Sequence, residues 1–250
     1  NAVYVLANDI TLSGTWSPIG TTQTPFNGRL NGNGHSISGL KLVASNNGGT
    51  GLFGGIGAEG IVENIKIENV VGDGTTYGNI GAIVGKNYGT VREITVSGSV
   101  ESEANYAGGI IGRNYGHVYG CKNSAEINGA NYVGGIAGYA GKIDGCVNNG
   151  EVNVVGYSLE GNNHAVSYVG GVAGYASGAV NCVNNSNIDA TGGGDYIGGI
   201  AGYVVATRSA DNVIQKNKNH GAIMGQGYVG GVFGYLGVEG SPNNEDDITV

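Results

Sequence analysis

The chain has 250 residues, of which 52 are glycine and 12% are charged, while 40% are apolar. This apolar content is too high for a disordered segment, and the absence of a Gly-X-Y period excludes collagen. The net charge of −8 with only 11 scattered Lys and Arg argues against a nucleic-acid partner, because neutralising phosphates needs clustered basic side chains. No apolar run approaches the roughly 18 residues of a membrane helix, so we expect no membrane insertion.

The first 47 residues contain short apolar runs separated by turn residues. The runs Val3–Leu6 and Ile10–Leu12 contain β-branched residues and are separated by Asn8 and Asp9, a pattern typical of short strands. A polar loop at 13–25 carries the only tryptophan, Trp16. Asn-Gly turns then alternate with apolar residues that we expect to point inward, namely Leu30, Ile37, Leu40 and Leu42. We interpret residues 1–47 as the lead-in coils of the repeat that follows.

From residue 48 onward one phrase recurs and fixes the architecture. It reads YVGGIAGY at Tyr132–Tyr139 and returns, with small changes, at 50–54, 80–85, 106–112, 168–175, 196–203 and 228–235. The seven copies are 26 to 36 residues apart, with a mean step of 30. Each repeat divides into three short apolar pieces, which is typical of a parallel β-helix. A β-propeller ranks second, because its blades need four strands in about 40 to 50 residues.

The predicted fold class is therefore all-β, a right-handed parallel β-helix with about 30 residues and three short strands per coil. The handedness follows from the general rule for parallel crossovers. We expect a single domain over 1–250, with seven repeat-phrase coils in 48–250. Both ends of the chain have strand-like sequence, so we expect a fragment of a longer protein.

In such a coil each residue stacks on its counterpart about 4.8 Å away, so columns can be read from the sequence. Two aliphatic columns are predicted to form the core. One follows the glycine pair: Leu52, Ile83, Ile110, Ile136, Val172, Ile200 and Val232. The other lies in the third strand: Val70, Val100, Ile127, Val152, Ile188 and Ile223.

Two further columns carry polar atoms. Asn123, Asn148, Asn184 and Asn219 are predicted to hydrogen-bond along the axis through their amides. Cys121, Cys146 and Cys182 share a column with isoleucines and are predicted to be buried free thiols. A disulfide between neighbouring coils would be poorly aimed, because in-register side chains run parallel.

The tyrosines of the repeat phrase are predicted to form two outward columns. Val133 and Ile136 both look buried but are an odd number of residues apart, which indicates a bulge or a kink at Gly134 and Gly135. Tyr132 and Tyr139 would then both point outward. Two interpretations stay open: the stacked rings stiffen the sheet, or they form a surface for a glycan or protein partner.

The 36-residue step between Gly135 and Gly171 predicts a loop at 157–165, and a second excursion spans 204–212. Loops on a rigid scaffold often carry function, although a tolerated surface insertion explains the extra length equally well. Any ligand is predicted to contact this loop and the tyrosines beside it. The candidate binding residues are Tyr168, Tyr175, Glu160, Asn162 and His164.

The GLFG phrase at Gly51–Gly54, the Tyr-x-Gly-Gly series and the Cys-x-Asn stretches resemble the GLUG-motif repeat proteins. The similarity covers roughly residues 1–240, since Trp16–Gly20 and Gly32–His35 also resemble the usual lead-in to such arrays. These are bacterial surface and secreted proteins, including adhesin-like proteins and the non-catalytic N-terminal regions of immunoglobulin A protease type metallopeptidases. The resemblance implies an extracellular or bacterial cell-surface location and transfers no catalytic residue.

No motif in the sequence predicts a metal or a cofactor. None of His35, His117, His164 and His220 lies in an H-E-x-x-H frame, so no zinc peptidase is predicted within this chain. Fold analogy leaves a polysaccharide lyase or hydrolase as an alternative, but Asp144 is expected to neighbour Tyr119 and Asn181 rather than a second carboxylate. We expect a non-catalytic stalk, adhesin or accessory domain of a larger protein such as a protease. The other alternative is a module that binds a host glycan or glycoprotein, and the oligomeric state stays open.

Overall fold

A computed structural model describes residues 2–43, 48–74, 78–103, 105–155, 166–206 and 213–238. Within these ranges the chain forms 33 short strands and no helix. Strands that pair are parallel and belong to successive turns of the chain, which gives a β-solenoid of about seven turns. The predicted all-β parallel coil is confirmed, while its right-handed sense stays a prediction from the crossover rule.

The strands are short because glycine and asparagine turns interrupt the apolar runs. In chain order they are β1 (Val3–Val5), β2 (Ile10–Thr11), β3 (Thr15–Trp16), β4 (Arg29–Asn31), β5 (Ser36–Ser38), β6 (Lys41–Val43), β7 (Phe53–Ile56), β8 (Ile61–Glu63), β9 (Lys66–Gly74), β10 (Asn79–Ile80), β11 (Val84–Asn87), β12 (Thr90–Arg92), β13 (Thr95–Ser102), β14 (Tyr106–Gly108), β15 (Ile111–Tyr119), β16 (Lys122–Asn123), β17 (Glu126–Gly129), β18 (Tyr132–Gly134), β19 (Ala137–Asp144), β20 (Val147–Asn148), β21 (Val152–Val154), β22 (Tyr168–Gly170), β23 (Ala173–Ala176), β24 (Ala179–Val180), β25 (Val183–Asn184), β26 (Ile188–Ala190), β27 (Tyr196–Gly198), β28 (Ala201–Ala206), β29 (Ile214–Gln215), β30 (Lys218–Asn219), β31 (Ile223–Gly225), β32 (Tyr228–Gly230) and β33 (Phe233–Val238).

These strands form three sheets along the axis. Sheet 1 has 13 strands and includes β7, β11, β15, β19, β23, β28 and β33; sheet 2 has six strands, β10, β14, β18, β22, β27 and β32; sheet 3 has 14 strands and includes β9, β13, β17, β21, β26 and β31. A single turn contributes to all three sheets, as β18, β19 and β21 show. The first six strands belong to sheets 1 and 3, since β1 pairs with β4 in sheet 1 and β6 pairs with β9 in sheet 3.

The repeat phrase forms a corner between two sheets, so the predicted irregularity at the glycine pair is the kink and not the bulge. Strand β18 ends at Gly134 in sheet 2, and β19 begins at Ala137 in sheet 1. Changing sheets between Val133 and Ile136 lets both side chains reach the core despite their odd spacing. A Cβ on Gly134 would lie 2.2 Å from the Ala137 carbonyl oxygen, and one on Gly135 would lie 2.2 Å from Asn148 Cγ. The pair is therefore glycine because the corner leaves no room for a side chain.

The two predicted aliphatic columns line the interior. The column after the glycine pair is at most 2% exposed from Leu52 to Ile200, as predicted. Its last member is an exception: Val232 is 36% exposed, because no further described turn covers it. The third-strand column is buried from Val70 to Ile188, and Ile223 is only half-buried for the same reason.

Two local predictions are corrected by the structure. Trp16 does not lie on a loop but in β3, where its side chain packs on the core and its Nε1 donates a 3.0 Å hydrogen bond to the Leu52 carbonyl. Val100 does not stack on Val70, because the register of β9 and β13 shifts and pairs Val100 with Gly72. The shift occurs next to Gly98, whose φ of 124° is readily adopted only by glycine.

Candidate functional site

Nine tyrosines stack in two columns along the corner between sheets 2 and 1, which we call the tyrosine ladder. The first column is Tyr106, Tyr132, Tyr168, Tyr196 and Tyr228, and the second is Tyr139, Tyr175, Tyr203 and Tyr235. Ring centroids within a column are 4.5 to 5.6 Å apart. Seven of the nine rings are half-buried, and Tyr228 and Tyr235 at the last described turn are exposed.

The two columns interlock into one continuous aromatic layer. The ring of Tyr168 meets the edges of Tyr175 and Tyr203 at 6.4 Å and 5.1 Å, with interplanar angles of 85° and 73°. Such edge-to-face contacts add to the stacking within each column. The faces of an internal ring are covered by the rings above and below it. A sugar ring can therefore stack on this ladder only at its ends.

Burial raises the pKa of three phenols of the ladder. Desolvation, with a smaller contribution from the neighbouring Tyr106 and Tyr168, raises the pKa of Tyr132 to about 12. The pKa of Tyr168 and that of Tyr203 are also raised, again mainly by burial. None of these changes supplies an acid or base suited to catalysis near neutral pH.

Towards the N-terminus the second column changes from aromatic to cationic. The residues in register before Tyr139 are Arg113 and then Lys86. The Arg113 guanidinium lies 4.7, 4.9 and 5.3 Å from the ring centroids of Tyr106, Tyr115 and Tyr139. Lys86 Nζ lies 5.1 and 5.5 Å from those of Tyr88 and Tyr115. All five distances are in the range of cation–π attraction.

Sequence reasoning missed this cationic end, although the signal was present. Stepping back from Tyr139 by the repeat lengths of 26 and 27 leads to Arg113 and Lys86. Beside them, the exposed rings of Tyr88 and Tyr115 stack with centroids 5.1 Å apart and planes 12° apart. The cationic end therefore presents exposed aromatic surface, unlike the middle of the ladder.

The predicted asparagine column is confirmed as a buried hydrogen-bonded ladder. Asn123 donates to Asn148 at 2.9 Å, Asn148 to Asn184 at 2.9 Å, and Asn184 to Asn219 at 2.8 Å. Each amide also donates to the carbonyl two residues further on, as Asn148 does to Gly150 at 2.7 Å. Buried polar atoms that are fully paired in this way fix the arrangement of a core.

A second, shorter asparagine ladder was not predicted. The buried amide of Asn87 donates to Asn114 at 2.7 Å. Each of these residues also accepts from the backbone nitrogen two residues on, Gly89 and Gly116. The signal was the tripeptide Asn-Tyr-Gly, which occurs at 87–89 and again at 114–116.

The three cysteines are buried and free, as predicted. Burial raises the pKa of the Cys182 thiol to about 11 and that of Cys146 well above its usual range. Nucleophilic and redox chemistry need the thiolate, so these side chains serve packing.

A buried carboxylate near the start of the solenoid was missed by sequence reasoning. Glu63 is only 3% exposed and forms ion pairs with Arg29 and Arg92. Burial raises its pKa, but the hydrogen bonds from Arg92 and Arg29 outweigh this effect, and the net shift is downward. Arg92 also donates to the Tyr119 hydroxyl at 2.6 Å. Because both carboxylate oxygens are paired with arginine, the group is structural.

The carboxylate pair that a polysaccharide-cleaving site would need is missing at Asp144. Tyr119 is its in-register neighbour in the previous turn, as predicted, but Val180 and not Asn181 takes that place in the next turn. The Asn181 amide still reaches Asp144 at 3.2 Å. In the described ranges, no group of three or more His, Cys, Asp and Glu side chains could hold a metal.

The structure places only part of the predicted binding face. Tyr168 and Tyr175 lie together in the middle of the tyrosine ladder, half-buried. Glu160, Asn162 and His164 fall outside the described residues, as does the rest of the loop at 157–165. Residues 207–212 of the second excursion fall outside them too. In the described part of the chain, no helix has the length and apolarity of a membrane span.

Two curated proteins and one solved structure are similar to parts of this chain. No family model matches the chain. It is 36% identical over 96 residues to "Halomucin" of Haloquadratum walsbyi and 35% identical over 131 residues to a "Putative Gly-rich membrane protein" of Evansella cellulosilytica. These matches cover 38% and 49% of this chain, but only 1% and 15% of the two relatives.

A similar solved structure is that of a "putative immunoglobulin A1 protease" from Bacteroides ovatus. The TM-score is 0.62 at 20% sequence identity, and the match covers 94% of this chain and 76% of the other. At this identity the similarity establishes the shared fold, a parallel β-solenoid, and nothing about activity.

Proposed function

We propose that this chain is a non-catalytic, rigid stalk segment of a larger cell-surface or secreted protein of the GLUG-motif type. In this role it holds adhesive or enzymatic domains at a fixed distance from the surface. In this role no residue of the segment is catalytic, and the segment acts through its length and stiffness. The location is proposed as extracellular, at the bacterial cell surface.

The observation that carries this proposal is the continuity of the two ladders along the axis. The asparagine side chains bond in series from Asn123 to Asn219, and the tyrosines stack from Tyr106 to Tyr235. In a solenoid each turn contacts only its neighbours, so stiffness depends on the interface between turns. Each of the three interfaces from the third to the sixth repeat copy contains both an amide hydrogen bond and stacked rings.

The comparisons support the same role. One relative carries a membrane-protein name, and the fold recurs in a chain with a protease name. The strands of sheet 1 carry two carboxylates. Glu63 is paired with arginines, and Asp144 has no second carboxylate in register beside it. This arrangement favours a non-catalytic segment. The protein is expected to leave polysaccharides intact, and release of reducing ends from acidic or neutral polysaccharides would contradict the proposal.

Pulling on the two ends of the chain by single-molecule force spectroscopy tests the stalk role. A turn of about 30 residues lengthens by about 100 Å when it is fully extended, so we expect successive steps of this size as turns detach. A flexible Gly-Ser linker of equal length is the control, because it extends smoothly at low force. Smooth extension of this chain at the same low force would contradict a rigid stalk.

A further inference from the structure

The strongest unassigned feature of the molecule is the cationic end of the tyrosine ladder. Lys86 and Arg113 occupy the same column on the adjacent strands β11 and β15. Like charges at directly neighbouring positions of a sheet repel each other. Within the described residues, neither side chain forms a salt bridge to a carboxylate.

Arg113 also has an unused hydrogen-bond donor. Its Nε is buried and has no hydrogen-bond partner among the described residues. Buried donors are normally paired, and an unpaired one in a native structure needs an explanation. Its neighbours are the rings of Tyr106, Tyr115 and Tyr139, which pack around the guanidinium without accepting a hydrogen bond from Nε.

The surroundings are positive although the chain as a whole is negative. The strands of sheet 1 carry five Lys and Arg residues and two carboxylates, and one of the two, Glu63, is already paired with Arg29 and Arg92. The chain has a net charge of −8. A local excess of cations on an acidic protein attracts anionic ligands to this sheet.

The exposed rings next to these cations indicate what kind of anion fits. Tyr88 and Tyr115 are 44% and 40% exposed, so they offer apolar surface that the internal tyrosines do not. Arginine and lysine bind carboxylate or sulfate groups through charge-assisted hydrogen bonds, while tyrosine rings pack against the C–H faces of sugars. An acidic saccharide carries both features in one residue.

We propose that Lys86, Arg113, Tyr88 and Tyr115 form a binding site for a carboxylated or sulfated polysaccharide. One anionic group lies between the two cations, and the sugar ring packs against the exposed tyrosine pair. The site lies about two turns from the predicted position at Tyr168 and Tyr175. It goes beyond the stalk role, which requires no ligand, so the two proposals can fail independently.

The test is binding of dextran sulfate, carboxymethyl-dextran and unmodified dextran of equal chain length, measured by calorimetry with the 250-residue chain. We expect one or both charged polymers to bind and dextran not to bind, and the comparison tells sulfate from carboxylate. Failure of both charged polymers to bind would overturn the proposal. An oligonucleotide of matched charge that binds equally well would also overturn it, because the site would then be a general polyanion surface.

Variants locate the site. Lys86→Gln is expected to weaken binding about tenfold, the loss of one hydrogen-bonded charge. The matched control is Lys122→Gln, which removes an exposed lysine from β16 in sheet 3 and should leave affinity unchanged. An equal loss in both variants would show diffuse attraction and refute the site.

Two further variants test Arg113 and the aromatic part. Arg113→Gln should abolish binding. Because the substitution also disturbs three rings, the circular dichroism and melting temperature of the variant are first compared with those of the wild type. If the variant does not fold, the affinity of Lys86→Gln tests the site instead. Tyr88→Leu should weaken binding about threefold, while Tyr228→Leu, at the other end of the ladder, should have no effect. Equal effects of the two tyrosine variants would contradict a defined site.

Discussion

Asn148 and Asn184 are 36 residues apart in the chain, yet the amide nitrogen of Asn148 donates a 2.9 Å hydrogen bond to the amide oxygen of Asn184. Both side chains are fully buried. The oxygen of Asn148 in turn accepts from Asn123. One side chain therefore joins three successive turns, and a change of register by one residue would break the series.

Replacing Asn148 with alanine should destabilise the protein by about 3 kcal/mol. The change removes one of the two hydrogen bonds of the Asn123 nitrogen and one of the two of the Asn184 oxygen. It also removes both side-chain hydrogen bonds to the backbone of Gly150, and an unsatisfied buried polar group costs about 1 to 3 kcal/mol. The free energy of unfolding from urea denaturation measures the loss. The control is Asn185→Ala, whose exposed amide bonds to Asn149 at 2.9 Å, and which should change stability by less than about 0.5 kcal/mol. Equal effects of the two variants would show that the buried ladder adds nothing.

The second glycine of the repeat phrase is expected to be essential because of this ladder. A Cβ on Gly135 would lie 2.2 Å from Asn148 Cγ and 2.3 Å from the Gly171 carbonyl oxygen. We expect Gly135→Ala to cost several kcal/mol, because the neighbouring backbone cannot move away without strain. The melting temperature measures it.

Gly141→Ala serves as the control for Gly135→Ala. Its Cβ would find only the Asn114 carbonyl oxygen, at an ordinary 3.7 Å. This variant should be neutral or slightly stabilising, because alanine restricts the unfolded chain. If Gly135→Ala melts at the same temperature as Gly141→Ala, the account of the corner is wrong.

The columns were predictable because stacked turns convert sequence period into spatial neighbours. Ile136, Asn148 and Cys146 recur at the repeat length, so their burial could be read directly. The corner at Gly134 could not, because a bulge and a change of sheet satisfy the same odd spacing. Glu63 pairs with two arginines, and only one pair follows the period. Arg92 is its in-register neighbour one turn on, so this pair could have been read from the columns. Arg29 lies in register with Ile61 instead, and its contact with Glu63 depends on side-chain reach and not on period.

The buried thiols should make the protein less stable at alkaline pH. Burial raises the pKa of Cys182 to about 11 from a usual value of 9.0. The unfolded chain therefore loses this proton first, and the stabilisation present below pH 9 is lost as the pH rises towards 11. The Cys182 thiol contributes about 1.4 kcal/mol per pH unit in this window.

Urea denaturation at pH 8, 9 and 10 tests this linkage. Because tyrosines also begin to titrate there, the comparison is with Cys182→Ala, which should lose less stability between pH 9 and 10. An identical pH dependence of stability in the two proteins would mean that the pKa of Cys182 is the same in the folded and the unfolded chain, which would contradict the prediction. In the native protein at pH 8 the thiols should not react with Ellman's reagent, whereas the denatured chain should show all three.

Glu63→Gln should destabilise the protein by about 2 kcal/mol at pH 7, because it leaves Arg29 and Arg92 without their buried counter-charge. The pKa of Glu63 is lowered in the folded state from a usual value of 4.5. The stabilisation is therefore present above that pH and is lost as the pH falls through the lower folded value. The difference between wild type and variant should shrink in acid.

Glu126→Gln is the control for Glu63→Gln. Glu126 is exposed on β17, and the hydrogen bonds it accepts come from the amides of Asn128 and Asn153. It should leave stability unchanged within about 0.5 kcal/mol at every pH. A wild type and a Glu63→Gln variant of equal stability at pH 7 would show that the ion cluster contributes nothing.

The central claim, a stiff stack of turns in register, is tested most directly by one distance. Lys66 and Lys218 are exposed and lie in one column, joined through Thr95, Lys122, Val147 and Val183. Five steps of about 4.8 Å place their Cα atoms about 24 Å apart. Spin labels at Lys66→Cys and Lys218→Cys, measured by double electron–electron resonance, should give a narrow distribution near this value once the label linkers are included. A broad distribution, or a mean displaced by two or more turns, would contradict a rigid solenoid.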